Sequence, residues 1–99
     1  MRNYEDVIKS FACRAIEAIF HDKRTPDLPS TIQTTARRKL VQLDLAQRLD
    51  DLRVPPGNRL EPLKGVRAGQ HSIRINDQWR LCFRWAPDGV HAVEVVDYH

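Results

Sequence analysis

The chain has 99 residues, of which 41% are hydrophobic and 29% charged, and its 16 basic and 13 acidic side chains give a formal net charge of +3. These values fit one small folded domain, residues 1–99, and permit a polyanionic partner without requiring one. They exclude a transmembrane protein, because no apolar run approaches the roughly 20 residues that span a bilayer. The opening MRNYEDVIKSF is atypical of a secretory signal, so we expect a cytoplasmic protein that binds no membrane.

The first part of the chain predicts a strand followed by two helices. DVIKSF is a short extended run, and in ACRAIEAIFHDK the residues Ile16, Ile19 and Phe20 recur at helical spacing. TPDLP breaks the chain, after which Ser30 and Gln33 form an S-x-x-Q capping box that opens a second helix. One apolar stripe then follows this helix, made of Ile32, Ala36, Leu40 and Leu43.

The second part of the chain predicts an antiparallel sheet. The prolines and glycines of RLDDLRVPPGNRLEPLKG indicate a loop, after which the hydrophobic period changes to two in HSIRIN and WRLCFRW. NDQ and APDG are typical of tight turns, and VHAVEVVDYH is a third strand. The sequence therefore predicts an α+β domain: an N-terminal strand, two helices and a three-stranded antiparallel meander, with the helices packed on one sheet face.

The alternation in these strands separates an apolar face from a basic one. We expect the core to receive Ile73, Ile75, Leu81 and Phe83. Arg74, Arg80 and Arg84 then share the opposite face, where no acids alternate with them on these two strands. This asymmetry favours an anion-binding surface. The alternative is that Glu94 or acids of the helices neutralise the arginines.

Other basic, cysteine and histidine residues give weaker indications of function. Lys64 and Arg67, in PLKGVRAGQ, precede the meander and extend the basic surface or are solvated cations of a turn. Arg37, Arg38 and Lys39 are more typical of a solvated helix face. The two cysteines form no C-x-x-C pair, and the four histidines lack metal-ligand spacing, so we expect neither a metal site nor a cofactor.

The motifs LEPLKG, QHSIRINDQWRLCFRW and VEVVDYH, in this order, resemble those of the HigB toxins of the RelE/ParE superfamily. The resemblance implies helices packed on a twisted antiparallel sheet and a metal-independent endoribonuclease that cleaves messenger RNA in the ribosomal decoding site. It also implies two kinds of partner. One is a neutralising HigA-type antitoxin with a helix-turn-helix domain, through which alone the toxin contacts operator DNA, and the other is the 70S ribosome with its messenger.

The resemblance also assigns roles to individual residues. His99 is the expected principal proton-transfer group and Asp97 the carboxylate that orients it, with Tyr98 as the third member of the catalytic trio. Glu61 replaces the histidine of an HPLKG motif found in some HigB toxins and is a second candidate base. The RNA-binding residues are expected to be Lys64, Arg67 and Arg80, joined on the sheet face by Arg74 and Arg84.

The side chains of Asp97, Tyr98 and His99 cannot all point to one side of a straight strand. The same fold is also compatible with two functions other than that of an active nuclease. In a straight strand Asp97 and His99 point to one side and Tyr98 to the other, so either the chain bends or Tyr98 stacks on a base. An alternative for DYH is a packed strand end without catalytic role. The same fold also suits a ParE-like, non-enzymatic gyrase inhibitor, or a weakly active toxin that acts mainly through its antitoxin complex.

Overall fold

The structure, a computed structural model, describes residues 7–98. In this part of the chain, helices α1 (Arg14–Phe20) and α2 (Ser30–Leu45) precede the strands of one sheet, β1 (Glu61–Pro62), β2 (His71–Arg74), β3 (Trp79–Ala86) and β4 (Gly89–Asp97). The spatial order is β1-β2-β3-β4 and all neighbours are antiparallel. The α+β class and the meander are confirmed, and β1 is an additional strand in the segment expected to be loop. Neither helix is long and apolar enough to cross a membrane.

One hydrophobic core joins the helices to the inner face of the sheet. The predicted stripe of α2 is at most 3% exposed, and the four sheet residues predicted to face inward are at most 5% exposed. Helical and strand periods therefore direct their apolar positions to the same interior. Burying one such side chain fully contributes about 1.5–3 kcal/mol, so these contacts determine which face of the sheet remains open to solvent.

The N-terminal segment lies beside β4 but forms isolated bridges rather than a regular strand. Ile8 and Phe11 make single parallel bridges to β4. The buried carboxylate of Asp44 on α2 accepts hydrogen bonds from the backbone N–H groups of Val7 and Ile8, at 3.0 and 3.1 Å. A Cβ atom at Gly89 would lie 2.4 Å from the carbonyl oxygen of Val7, so the close approach of the N-terminal segment to β4 requires glycine at this position. Asp6, the first residue of the predicted strand, is outside the described residues.

The predicted capping box at the start of α2 is wrong. Pro29 occupies the N-cap position, and Ser30 is already the first helical residue, with no side-chain hydrogen bond capping the helix. A serine inside the first turn cannot take the capping position that precedes the helix. The buried Gln33 amide instead donates hydrogen bonds to the carbonyl groups of Thr25 and Leu28, at 2.8 and 2.9 Å. Gln33 therefore fixes the loop between the helices.

Two polar side chains shape the loops that border the outer sheet face. Asn58 is fully buried and donates hydrogen bonds to the carbonyl of Leu52 and the side chain of Gln42, both at 3.1 Å. In the predicted tight turn between β2 and β3, the Asn76 side-chain oxygen accepts hydrogen bonds from the backbone N–H groups of Gln78 and Trp79, both at 2.8 Å. These bonds satisfy backbone groups that the strands leave unpaired and so fix both loops.

Candidate functional site

A cavity of about 510 Å³ opens at the outer face of the sheet. The residues around it come from the loop before β1, from β1 and β2, from the turn after β2, from β3 and from the end of β4. They are Gly57, Arg59, Glu61, Arg74, Asn76, Asp77, Arg80 and Tyr98. The cavity thus joins three arginines, two carboxylates and one phenol. Among the described residues, it contains Glu61 and Tyr98 of the predicted catalytic residues and Arg74 and Arg80 of the predicted RNA-binding residues.

Arg80 on β3 is the most constrained cation of this cavity. Its Nε donates a hydrogen bond to Ser72 Oγ at 2.7 Å, and its Nη2 donates one to the carbonyl of Arg59 at 2.6 Å. Only 9% of the residue is exposed. Hydrogen bonds from a buried guanidinium hold it in one orientation and offset the cost of removing its charge from water. Arg80 is therefore a preorganised positive charge.

Glu61 is the acid beside Arg80. Its Oε1 lies 3.5 Å from Arg80 Nε, and half of its side chain is exposed. The backbone of β1 positions it, because Glu61 pairs with Ser72 of β2, whose hydroxyl group holds Arg80. This pair places a solvent-accessible carboxylate, a side-chain type that acts as a general base in enzymes, beside a fixed cation.

Arginines of this face have acidic neighbours that lie outside β2 and β3. Arg80 pairs with Glu61, Arg74 with Asp77 in the following turn, and Arg67 with Glu94 at 2.7 Å. The hydrogen bond to Glu94 also raises the pKa of Arg67. These acids lie on other strands or in a turn, so alternation within β2 and β3 did not reveal them. The neutralising role considered for Glu94 is real, but its partner is Arg67 and not an arginine of the strands.

Tyr98 and Asp97 lie on different sides of the last strand. The Tyr98 ring centroid is 6.0 Å from Arg80 Cζ, and burial, followed by the charge of Cys82, raises the pKa of the phenol. Asp97 pairs with Trp79 in the sheet and accepts a hydrogen bond from the Gln78 side chain at 3.1 Å. The end of β4 therefore brings Tyr98 to the cavity and directs Asp97 away from it. His99 lies outside the described residues.

The remaining predicted RNA-binding residues, Lys64, Arg67 and Arg84, do not line the cavity. Lys64 is exposed and precedes the 3₁₀ turn Gly65–Arg67. Arg67 lies close enough to Tyr98 for its charge to lower the phenol's pKa, against the larger effect of burial. Arg84 is exposed and opposes His91 toward the other end of the β3–β4 hairpin. These three basic residues are therefore spread outside the cavity, and one of them, Arg67, is paired with Glu94.

Cys82 is a buried free thiol beneath this face. Burial is the main cause that raises the pKa of Cys82, which disfavours the nucleophilic thiolate form. Within residues 7–98, no group of three or more His, Cys, Asp or Glu side chains is arranged to hold a metal ion.

Sequence reasoning missed two residues that build the site, Arg59 and Ser72. Arg59 adopts a left-handed conformation, with φ of 47°, and provides both a carbonyl for Arg80 and a side chain at the cavity. No local pattern places a loop residue there. Ser72 had a detectable signal, because it alternates with Ile73 and so shares the face of Arg80.

Comparison with known proteins gives matches over most of the chain. The family model that matches residues 9–99 describes HigB-like toxins, the RelE-like toxins of type II toxin–antitoxin system HigB. "Toxin HigB-1" of Vibrio cholerae serotype O1 is 50% identical over 78 residues, covering 79% of this chain and 81% of that protein. "Endoribonuclease HigB" of Proteus vulgaris is 29% identical over 97 residues, covering 94% of this chain and 100% of that protein.

Two solved structures share the fold at low sequence identity. The YoeB–YefM complex of Staphylococcus aureus matches with a TM-score of 0.60 and 19% identity, covering 97% of this chain and 99% of the matched one. YafQ of Escherichia coli matches with a TM-score of 0.60 and 11% identity, covering 94% and 93%. At these identities the similarity establishes the arrangement of helices and sheet.

Proposed function

Since this chain belongs to the HigB-like family of RelE-like toxins of type II toxin–antitoxin systems, we propose that it is an endoribonuclease that cleaves messenger RNA on the ribosome. The family predicted from the three sequence motifs is confirmed. The relative named Endoribonuclease HigB, aligned over 94% of this chain, supports ribonuclease activity. The observation that carries the proposal is the immobilised Arg80 beside Glu61 and Tyr98 in one cavity.

The proposed chemistry is attack of the ribose 2′-hydroxyl on the adjacent phosphorus. A base removes the hydroxyl proton, cations stabilise the negative charge of the phosphorane, and an acid protonates the leaving 5′-oxygen. Arg80 is the proposed phosphate-stabilising cation, assisted by Lys64. His99 is the proposed principal proton-transfer residue, with Asp97 orienting it. Side chains fill every role, so the proposal is a metal-independent reaction.

We assign the role of base to Glu61, which lies next to Arg80. While ionised, its carboxylate compensates part of the guanidinium charge across 3.5 Å. Once Glu61 accepts the 2′-hydroxyl proton it becomes neutral, and the full charge of Arg80 then acts on the phosphorane. The proton transfer and the electrostatic stabilisation would thus strengthen each other. Tyr98, whose raised pKa keeps it protonated, is the proposed donor or stacking surface at the cavity edge.

The proposed biological setting is cytoplasmic, with residues 1–99 acting as one toxin domain. The matching family model describes toxins of a type II toxin–antitoxin system, which supports an antitoxin partner. We assign this partner to the HigA-type helix-turn-helix class, with operator DNA contacted only through the complex. The remaining partners are the 70S ribosome and its messenger, with Arg67, Arg74 and Arg84 assigned to the RNA backbone along the border of the cavity.

The test is to map new RNA ends in a purified translation system supplied with one defined messenger. We expect cleavage by the unmodified protein and strong loss in His99→Ala and Glu61→Gln. Arg48→Ala is the matched control, because Arg48 is exposed and does not line the cavity. Absence of cleavage by the unmodified protein, together with inhibited gyrase supercoiling, would reject the nuclease in favour of a ParE-like inhibitor.

A further inference from the structure

The loop residue Arg59 lines the cavity beside Arg80 and has no part in the chemistry proposed above. The residue is exposed, and its carbonyl oxygen accepts the hydrogen bond from Arg80 Nη2 at 2.6 Å. The backbone of Arg59 is thus in direct contact with the cation that is proposed to act on the phosphate. Its side chain is consequently anchored next to the place where RNA would bind.

The ion pairs of the cavity leave Arg59 as the arginine without an acidic partner. Arg80 lies 3.5 Å from Glu61, and Arg74 is paired with Asp77. Within residues 7–98, no carboxylate forms an ion pair with the Arg59 side chain. The described lining contains three arginines and two acids, which leaves one net positive charge. That charge belongs to Arg59.

The backbone conformation of Arg59 is rare for an arginine. Its φ of 47° and ψ of 56° place it in the left-handed region, which disfavours residues other than glycine. The preceding residue, Asn58, is fully buried and donates hydrogen bonds to Gln42 and to the carbonyl of Leu52. Such strained positions persist where the surrounding structure imposes them, and they cluster at functional sites. The loop therefore holds Arg59 at the cavity against its own backbone preference.

The different pairing of Arg80 and Arg59 separates two electrostatic tasks. While Glu61 is ionised, it offsets part of the attraction between Arg80 and an approaching phosphate. Arg59 has no such compensation within the described residues, so its charge attracts an anion before any proton has moved. An interaction that is equally strong before and during the reaction improves substrate binding but leaves the maximal rate unchanged.

We propose that Arg59 binds the messenger phosphate that adjoins the scissile one, and that it supplies affinity while Arg80 acts on the reacting group. Arg80 is 9% exposed whereas Arg59 is exposed, so a phosphate seated at Arg80 leaves Arg59 for its neighbour along the chain. A planar guanidinium suits this ligand because it donates two parallel hydrogen bonds to phosphate oxygens. This assignment rests on the nuclease proposed above and adds a substrate-binding residue to it.

The first experiment measures binding of the full chain to ribosomes programmed with a messenger that carries 2′-deoxynucleotides in the decoding site. This messenger keeps its phosphates but lacks the attacking hydroxyl, so binding is observed without cleavage. Arg59→Asn should bind about tenfold more weakly at low salt, and the loss should shrink as salt is added. Binding to ribosomes without messenger should be unchanged. Asparagine tolerates the left-handed conformation, so the carbonyl contact with Arg80 is retained.

Two further variants separate charge from backbone effects. Arg59→Lys keeps the charge and should bind within about threefold of the unmodified protein, although it loses the bidentate geometry. Arg14→Asn is the matched control, because Arg14 is an exposed arginine at the start of α1 and does not line the cavity. It should change binding less than about twofold, since a cation that contacts no phosphate releases no counterion.

The second experiment measures single-turnover cleavage of an ordinary messenger at increasing protein concentration. Arg59→Asn should need about tenfold more protein to reach the half-maximal rate. Its maximal rate should stay within about twofold of the unmodified one, because Arg80 keeps its hydrogen bonds. Arg80→Ala should instead lower the maximal rate.

Three results would overturn the assignment of Arg59. The first is unchanged binding of Arg59→Asn to programmed ribosomes. The second is an equal loss on programmed and empty ribosomes, which would place the contact on ribosomal RNA. The third is a lower maximal rate at unchanged half-saturation, which would show that Arg59 only holds Arg80. If the unmodified protein cleaved nothing, the proposed nuclease would be wrong, and the binding comparison would still decide the role of Arg59.

Discussion

Arg80 illustrates how a single side chain acquires a function through its neighbours. A surface arginine loses side-chain entropy when it binds a phosphate, but Ser72 and the Arg59 carbonyl already hold this guanidinium in place. A fixed cation stabilises developing negative charge more effectively than a mobile one, because no reorganisation accompanies the reaction.

Arg80→Ala should therefore lower the cleavage rate by about 10²–10³-fold, the effect of removing one donor to a transition-state oxyanion. Arg80→Lys should cleave hardly faster than Arg80→Ala, since an ammonium group cannot bond both Ser72 and the Arg59 carbonyl as the planar guanidinium does. Single-turnover cleavage on programmed ribosomes measures the effect, with circular dichroism as the check of folding. Arg53→Ala, at an exposed site, is the control. Equal losses at the two positions would mean that only total charge matters.

Tyr98 offers a residue-level prediction about pH. Burial raises the pKa of its phenol in the folded protein above the ordinary value of about 10. A raised folded-state pKa gives a contribution to stability that is complete below the unfolded pKa and is lost as pH rises through the folded one. The free energy of unfolding should therefore fall above about pH 10, and Tyr98→Phe should reduce that slope. Urea unfolding between about pH 9 and 11 tests this. Identical slopes in both proteins would contradict it.

The site residues show what the sequence allows to be predicted at this scale. Alternation placed Arg80 on the face opposite the core, and the family motifs pointed to Glu61 and Tyr98, which the cavity brings together. Arg59 escaped prediction because its position depends on the path of a loop held by the buried Asn58. A loop fixed by contacts distant in sequence leaves no periodic signal.

Among the structural elements, the N-terminal segment is attached on two sides. Backbone hydrogen bonds join it to Val90 and Val93 of β4, and the bonds from Val7 and Ile8 to the Asp44 carboxylate join it to α2. Both bonds go to one buried oxygen atom. Loss of that oxygen would leave two backbone donors without this partner.

Asp44→Ala should lower the free energy of unfolding by about 1–3 kcal/mol, the usual cost of leaving buried hydrogen-bond donors unpaired. Asp44→Asn should cost less, because the amide oxygen still accepts a hydrogen bond. The measurement is urea unfolding, and Asp50→Ala, which breaks the exposed pair with Arg53, is the control and should cost at most about 1 kcal/mol. An Asp44→Ala protein as stable as the control variant would show that the bridges to β4 suffice.

The sequence predicted helices and strands correctly where the hydrophobic pattern extends over many residues, and it missed the strand that has only two paired residues. The α2 stripe and the alternation of β3 extend over several residues, so burial follows directly from them. β1 has only two residues, Glu61 and Pro62, and exists because the preceding loop brings them beside β2. The start of α2 was misassigned because an S-x-x-Q pattern does not reveal that Pro29 already occupies the N-cap.

At the scale of the whole molecule, positive charge is divided between two surfaces with different character. The sheet face has arginines paired with acids around a cavity, whereas a groove of about 500 Å³ between α1 and α2 has, among the described residues, four cations and one acid. The net charge of +3 is consequently not concentrated at the cavity proposed to be catalytic. A protein of this kind has little electrostatic means of capturing free RNA, because nonspecific affinity depends on the number of phosphates neutralised at once.

The last prediction follows from this expected low affinity for free RNA and concerns the ribosome. A messenger extended in the decoding site is already unstacked, and its phosphate is closer to the in-line geometry that attack by the 2′-hydroxyl requires. Such positioning lowers a reaction barrier by as much as about 7–11 kcal/mol in favourable cases. The chain offers Arg80 as a fixed cation at a cavity that is open on the sheet face, and we expect this cavity alone not to impose that geometry on free RNA. Naked messenger should therefore be nearly inert.

The measurement compares one purified messenger incubated with the protein in the presence and absence of programmed ribosomes, with new ends mapped in both. We expect cleavage only with ribosomes, and we expect the difference to persist at low salt, where the affinity for free RNA is highest. Arg80→Ala should be inactive in both reactions, because it removes the phosphate-stabilising cation itself and not the route to the substrate. If free RNA were cleaved as fast as ribosome-bound RNA, the cavity would have to position its substrate alone, and the role assigned to the decoding site would be wrong.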